Sequence, residues 1–260
     1  MKAPSFAYAK PRSLTEAFEL LERPGAKILA GGQSLIPALN MRLSAPELLV
    51  DITGLPGLST IEARNGALRI GALCTHTQVE RSAEVREHLP LIAEAVAHIA
   101  HPAIRNRGTL GGSLALADPN AELPACALAL DAALIIAGRK GERRVQASAF
   151  FKALFETDLK PGEILVGAEF PKAAKSAFLE LARRQGDYAI VGLAAATKGA
   201  ERRLAFFGMG STAVLLKSTS LDQAKAALRN LKPPADLYNS PTTKLHLAGV
   251  LLERAWNTLS

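Results

Sequence analysis

Apolar positions along the chain fall into short runs, broken by glycine, proline and charge, and most runs are too short for long helices. Ser13, followed three residues later by Glu16, forms a capping-box pattern that predicts a helix from there to Glu22, stopped by Pro24 and Gly25. Residues 27–30 read as a short buried strand, 34–39 as a helix and 48–52 as a second strand. This strand–loop–helix–strand order favours parallel strands in a small N-terminal lobe. The texture changes after Leu58. Residues 58–62 and 67–71 flank Arg64, Asn65 and Gly66, and Asn-Gly between two alternating runs predicts a hairpin. Residues 77–82 and 90–101 read as helices, 104–113 as a glycine-bearing loop and 125–130 as apolar structure. A second hairpin is expected from 133–137 and 143–147, and a strand over 163–170 that Pro171 closes. Further on, 176–183 and 203–209 are strand-like, and 189–197 fits strand or helix by period alone. Residues 221–231 form an amphipathic helical pattern, 232–241 a proline-rich loop and 246–259 a terminal helix.

Composition adds few constraints. With 260 residues, 48% hydrophobic and 21% charged, the chain has enough apolar material for a large core. The formal charge of +7 raises nucleic acid as a partner, but the basic residues are scattered and aromatics make up only 5%. The densest cluster, Arg139, Lys140, Gly141, Glu142, Arg143 and Arg144, reads as a solvated hairpin tip; a basic face also suits an acidic partner subunit. Two cysteines, Cys74 and Cys126, are too few for an iron–sulfur cluster and read as small buried hydrophobes. His76, His88, His98, His101 and His246 lack metal-ligand spacing and read as surface or turn residues. The first residues lack an apolar secretory core, and the longest apolar run, 125–138, is interrupted by Asp131 and too short to span a bilayer. A cytoplasmic protein is expected.

Two glycine pairs carry the chemistry. Ala30, Gly31, Gly32, Gln33, Ser34 and Leu35 follow the first buried strand. Gly108, Thr109, Leu110, Gly111, Gly112 and Ser113 lie about eighty residues on. Glycine lets backbone N–H groups approach an anion, and a following helix N-terminus adds favourable potential. Either pair alone suits an ordinary turn, and the first has neither the Rossmann nor the triphosphate-loop spacing. Together, each with a flanking hydroxyl, they suggest a diphosphate gripped from two sides. Arg105 and Arg107 could bind anion or face solvent or a partner. Asp118 suits a turn, and Glu122 could accept from cofactor sugar hydroxyls. No nucleophile–base pair stands out, which fits a chain that positions a cofactor rather than one supplying the reacting groups.

The run from His101 to Gly112, the Ala-Asp-Pro-Asn-Ala-Glu-Leu-Pro stretch at 117–124, Phe155-Glu156-Thr157, 161–165 and 183–189 resemble the FAD-binding (medium) subunit of molybdenum hydroxylases. That family includes aerobic carbon monoxide dehydrogenase and bacterial relatives of xanthine dehydrogenase, and the likeness covers nearly the whole chain. It implies an α+β chain: a two-lobed FAD-binding fold of the vanillyl-alcohol-oxidase (PCMH) type with an α/β N-terminal lobe (1–56) and a middle lobe (57–172). A C-terminal α/β domain (173–260) with an antiparallel sheet would close over the flavin. By the resemblance, residues 30–35 and 109–113 hold the pyrophosphate and ribityl chain. Ala100 lies close to the cofactor, Glu122 bonds its hydroxyls, Leu165 lines the pocket and Tyr188 approaches the isoalloxazine ring. The implied partners are a large subunit carrying the molybdenum cofactor and a small subunit carrying two 2Fe-2S clusters, in a dimer of heterotrimers. FAD in this chain would pass electrons to NAD, a quinone or oxygen. Carbon monoxide, purines, aldehydes and N-heterocycles all suit such an enzyme as substrates. The sequence departs from the family pattern at Leu116, where histidine is frequent, at Glu180, near a frequent lysine, and at Ser113, where asparagine is frequent. These departures bear on flavin tuning and the electron acceptor. A stand-alone FAD-dependent oxidoreductase of the same fold and a scaffold subunit that has lost FAD are the competing readings.

Overall fold

The computed structural model describes residues 2–64 and 66–260. Three sheets organise them. The first is parallel, built from β1 (Ala7–Ala9), β2 (Ala26–Leu29) and β3 (Leu48–Asp51), with β3 in the centre. Every residue of β3 is buried, as expected for a strand covered on both faces. Helices α1 (Leu14–Leu21) and α2 (Leu35–Asn40) connect the strands, and α1 buries Ala17 and Phe18. The expected capping box is half formed. The Ser13 hydroxyl accepts from Glu16 N at 3.2 Å, but the Glu16 carboxylate accepts from Arg12 N at 2.7 Å rather than from Ser13.

The second sheet is antiparallel, in the order β4-β5-β10-β6-β7. Its strands are β4 (Ile61–Arg64), β5 (Ala67–Gly71), β6 (Ala133–Gly138), β7 (Gly141–Gln146) and β10 (Ile164–Pro171). Both expected hairpins pair antiparallel; Asn65, expected in the turn of the first, lies outside the described residues. Residues 58–60 precede that strand as a turn whose carbonyls accept from Gly71 and Leu73. Only Arg139 and Lys140 sit at the second tip. Arg143 is not a solvated tip residue: its guanidinium pairs with Asp158 at 2.7 Å and Glu163 at 2.6 Å. A small hairpin of β8 (Phe151–Ala153) and β9 (Glu156–Thr157) precedes β10.

Between β5 and β6 come α3 (His76–Arg81), α4 (Ala83–His88), α5 (Pro90–His98), α6 (Pro102–Arg105), α7 (Leu110–Leu116) and α8 (Glu122–Ala129); α9 (Ala147–Phe150) follows β7. The helix expected over 90–101 ends at His98 because Ala100 adopts a left-handed φ of 42° and Pro102 starts a new turn. The segment expected as a loop to residue 113 is helical from Leu110. Thr109 caps that helix through Gly112 N at 3.0 Å, which offsets the low helix propensity of Gly111 and Gly112. All eight residues of α8 are buried.

The third sheet is an antiparallel meander of β11 (Ser176–Ala182), β12 (Ala189–Lys198), β13 (Glu201–Phe207) and β14 (Val214–Ser218), followed by α10 (Leu221–Arg229) and α11 (Pro241–Leu259). Residues 189–197 are therefore strand. Alternate residues decide it: Ala194 and Ala196 join the core around α5 and α8, while Val191, Leu193 and Ala195 join the core around α10 and α11. The terminal helix begins at Pro241, capped by Ser240, five residues before the apolar periodicity becomes clear. Buried Arg203 on β13 donates to the carbonyls of Leu128 and Ala129 and to Asp131, satisfying the C-terminal end of α8.

Candidate functional site

The two glycine segments meet. A Cβ on Gly31 would fall inside the carbonyl oxygen of Arg107, and Gly108 Cα would be 2.9 Å away. The strand-to-helix turn after β2 is thus stacked on the backbone leading into α7, and only glycine permits that approach. Gly32 has φ +75°, a left-handed conformation that reverses the chain, and Gln33 Nε2 donates to Gly31 O at 3.2 Å across the turn. Among the described residues, none of the backbone N–H groups of residues 31–35 donates to a protein acceptor. Consecutive N–H groups around a left-handed glycine form a concave nest that suits phosphate oxygens.

The second segment is built differently from the expectation of backbone donors on both sides. Leu110 N donates to Cys74 O at 2.9 Å, Gly111 N to Ala72 O at 2.8 Å and Gly112 N to the Thr109 hydroxyl. Its N–H groups hold α7 against residues 72–75, so the hydroxyls of Thr109 and Ser113 are what it can offer a ligand. A Cβ on Gly111 would overlap Ala72, which fixes this contact. Arg105 does not point its charge at an anion. It donates to the carbonyls of Ile99 and Ala100 at 3.1 and 3.2 Å and to Glu80 at 3.0 Å, clamping the Ala100 turn. Arg107 is exposed.

His76 is buried rather than at the surface. Its ring packs on Gly108, Nδ1 has no partner, and burial followed by the charge of Arg105 lowers its pKa to about 4. It is a neutral imidazole under the second glycine segment. Sequence reading missed it because nothing in its local pattern separates it from the exposed histidines.

The segment after β11 joins this region. Gly186, at φ +82°, lies where a Cβ would be 2.8 Å from Ala100 O, so 183–189 is packed on the Ala100 turn. Tyr188 leaves 72% of its surface exposed, and its phenol is held above the usual pKa by partial burial of the hydroxyl and then by the charges of Asp118 and Glu122. Asp118 closes an Asx turn through Asn120 N at 2.9 Å, as the sequence suggests. Glu122 is the first residue of α8, 9% exposed, and its pKa is pushed up to about 8 by burial and then by Glu180 and Asp118. Glu180, on β11, is pushed up to about 7 by burial. The structure brings Gly31 against Arg107 and Gly108, and Gly186 against the Ala100 turn. Leu165 lies away from the surface, buried on β10 within the main core. Cys74 and Cys126 are buried free thiols, as expected. Among the described residues no His, Cys, Asp or Glu group is arranged to hold a metal ion, and no helix is long and apolar enough to cross a membrane.

The free N–H groups of residues 31–35 are what this region can offer an anion. Comparison with known proteins makes this specific. Residues 4–173 match the family described as FAD binding domain in molybdopterin dehydrogenase. The chain is 40% identical to the 6-hydroxypseudooxynicotine dehydrogenase complex subunit alpha of Paenarthrobacter nicotinovorans, over 98% of this chain and 94% of that one. A carbon monoxide dehydrogenase structure from Hydrogenophaga pseudoflava superposes with TM-score 0.93 at 34% identity, covering 99% of this chain and 98% of that one. Quinoline 2-oxidoreductase from Pseudomonas putida 86 gives TM-score 0.92 at 38% identity, with the same coverage. The chain belongs to the FAD-binding family of molybdopterin dehydrogenases: it is an FAD-binding, medium-subunit-type component of an oxidoreductase complex. Its fold is that of the carbon monoxide dehydrogenase medium subunits.

Proposed function

We propose that this chain is the flavin electron-transfer subunit of a heterotrimeric molybdenum hydroxylase. In this reading it accepts electrons from 2Fe-2S clusters of a small partner subunit and passes them to an external acceptor. A large partner subunit carrying the molybdenum cofactor oxidises the substrate and sets its selectivity. The observation that carries the reading is the five-residue run of unpaired N–H groups at 31–35, stacked on the second glycine segment. It fits a diphosphate, and the family match identifies which dinucleotide. FAD, when bound, supplies the step between one-electron carriers and a two-electron acceptor.

The chain's own residues would bind, orient and shield. Residues 31–35 would donate backbone N–H groups to phosphate oxygens, with Ala30 setting the strand exit. The hydroxyls of Thr109 and Ser113 would donate from the opposite side, with Leu110, Gly111 and Gly112 supplying the close-packed backbone. Glu122 would accept from sugar or ribityl hydroxyls. The Ala100 turn would bring its backbone close to the cofactor, Tyr188 would cover the ring and Leu165 would support the pocket from the core. The organisation follows as lobes 1–56 and 57–172 around the cofactor, with 173–260 closing over it. Relatives named as subunits or medium chains of dehydrogenases support partners of this kind; a dimer of heterotrimers in the cytoplasm belongs to the same proposal. The same relatives favour a subunit over a stand-alone flavoenzyme, and the intact nest argues against a scaffold.

The test is purification with the genomically adjacent partners, a visible spectrum, and chromatography of the acid-released chromophore. One non-covalent FAD per chain is expected. A colourless chain that takes up no added FAD, alone or with partners, would overturn the reading in favour of a scaffold.

A further inference from the structure

The turn that presents Tyr188 is held by a loop from the far end of the chain. Strand β11 ends at Ala182, which pairs with Ala189 at the start of β12, so Arg183 and Tyr188 stand at the two ends of the connecting turn. Asp187 N closes the turn by donating to Arg184 O at 3.2 Å, and Gly186 rests it on Ala100 O and the His101 ring. The Arg183 guanidinium lies over the Tyr238 ring, 4.2 Å from its centroid. Tyr238 is exposed, yet the backbone that carries it is fixed. Asp236 accepts from Tyr238 N and Asn239 N, both at 2.8 Å, and from Asn239 Nδ2 at 3.0 Å. Buried Lys244, in the first turn of α11, reaches Asp236 at 3.0 Å and donates to Gly208 O at 3.3 Å. Gly208 N donates in turn to Pro119 O at 2.9 Å. The proline-rich loop is thus tied into the molecule and offers Arg183 a fixed platform.

We propose that Arg183 and Tyr238 form a clamp that keeps the 183–188 turn closed, and that through it they are positioning residues for Tyr188. The inference rests on Tyr188 as the residue proposed above to cover the flavin ring. Tyr188 is mostly exposed, so its own packing does little to fix it, and a short turn at the surface opens locally at little cost. A guanidinium over a tyrosine face is attracted by the ring quadrupole and stacks its plane on the ring. At an exposed site that attraction is modest. It therefore acts on the population of the closed turn rather than on folding, by about two- to fivefold. Neither residue touches the cofactor in this scheme; together they decide how often Tyr188 is in place.

Amide hydrogen exchange of residues 184–189 in the full chain, with and without FAD, tests the clamp, and the visible spectrum of the bound flavin tests the positioning. Wild type is compared with Arg183→Gln, Tyr238→Leu, their double variant, Tyr238→Phe, Arg184→Gln and Tyr188→Ala. In the ligand-free chain Arg183→Gln and Tyr238→Leu should each speed exchange in the turn by about two- to fivefold, and the double variant no further than either alone. Tyr238→Phe keeps the ring and should match wild type. Arg184→Gln, which removes a neighbouring exposed cation, should also match it. With FAD bound, Arg183→Gln and Tyr238→Leu should move the flavin spectrum in the direction that Tyr188→Ala moves it, and Tyr238→Phe should not. Unchanged exchange in Arg183→Gln, additive effects in the double variant, or an equal effect of Arg184→Gln would overturn the clamp. Faster exchange with an unmoved spectrum, where Tyr188→Ala does move it, would overturn the positioning role. If Tyr188→Ala leaves the spectrum unmoved, or no chain binds FAD, the placing of Tyr188 over the flavin fails by itself, and exchange in the ligand-free chain still decides the clamp.

Discussion

Gly31 and Gly112 are both glycines of the cofactor region, and they are glycine for different reasons. Gly31 has no room for a Cβ, because the Arg107 carbonyl occupies that space. Gly112 has ordinary helical geometry, and a Cβ there would meet only the Thr109 hydroxyl, at 2.9 Å. Gly31→Ala should therefore separate the two segments, destabilising the chain by on the order of 1–3 kcal/mol and losing FAD together with stability. Gly112→Asp should stay folded, since an acid in the first turn of α7 is favourable to the helix, but a carboxylate beside the phosphates should cut FAD retention more than tenfold. Thermal melts with flavin quantitation on both variants check the contrast. Equal loss of stability in the two would refute it. Both glycine pairs are legible in the sequence. That Gly31 sits on Arg107 is not, because the contact joins residues seventy-six positions apart.

Among the elements, α7 shows how a local pattern can mislead. Leu-Gly-Gly-Ser predicts a loop on helix propensity, yet Thr109 caps a helix and the carbonyls of Ala72 and Cys74, in the segment after β5, satisfy its first N–H groups. Tertiary hydrogen bonds supply what propensity lacks. Thr109→Val, nearly isosteric at a buried position, removes the bond to Gly112 N; it should cost about 1 kcal/mol and lower Tm by about 2–4 °C. A melt of the ligand-free chain measures this, and an unchanged Tm would show that Ala72 and Cys74 hold α7 without the cap. Strand β12 is a second case. Its run of small residues fits helix or strand until the antiparallel partners on either side, β11 and β13, bury alternate residues against different helices. The N-terminal elements and the first two hairpins are readable because capping, turn and alternation signals agree there.

For the whole molecule, the buried carboxyls set an alkaline limit to stability. Glu122 and Glu180 have folded pKa values of about 8 and about 7, above their ordinary value of 4.5. Groups shifted in this direction contribute stability that is fully present below the unfolded pKa and is lost as pH rises through the folded values. Asp51, Asp131 and Asp236 are shifted down by hydrogen bonds and neighbouring cations, against the opposing effect of burial, so their contribution is lost on the acid side as pH falls through their depressed values. Stability measured by urea denaturation should therefore fall between pH 6 and pH 9 by on the order of a few kcal/mol, and Glu180→Gln should flatten that limb. A flat wild-type profile over this range would contradict the burial of these two carboxyls.

By itself, the sequence determined the class of fold, the parallel and antiparallel lobes, the two glycine segments and their family. These depend on short-range patterns such as strand alternation, caps, turn dipeptides and motif spacing, which a linear chain displays. The tertiary structure decided which backbone donors remain free, and found them at 31–35 rather than at both glycine pairs. It also turned Arg105 away from an anion and onto the Ala100 turn, buried His76 beneath Gly108, and buried the Glu180 carboxyl with Oε2 unpaired among the described residues. Each of these depends on what lies opposite a group in space, and hydrogen-bond satisfaction and desolvation are settled only by partners that sequence distance conceals.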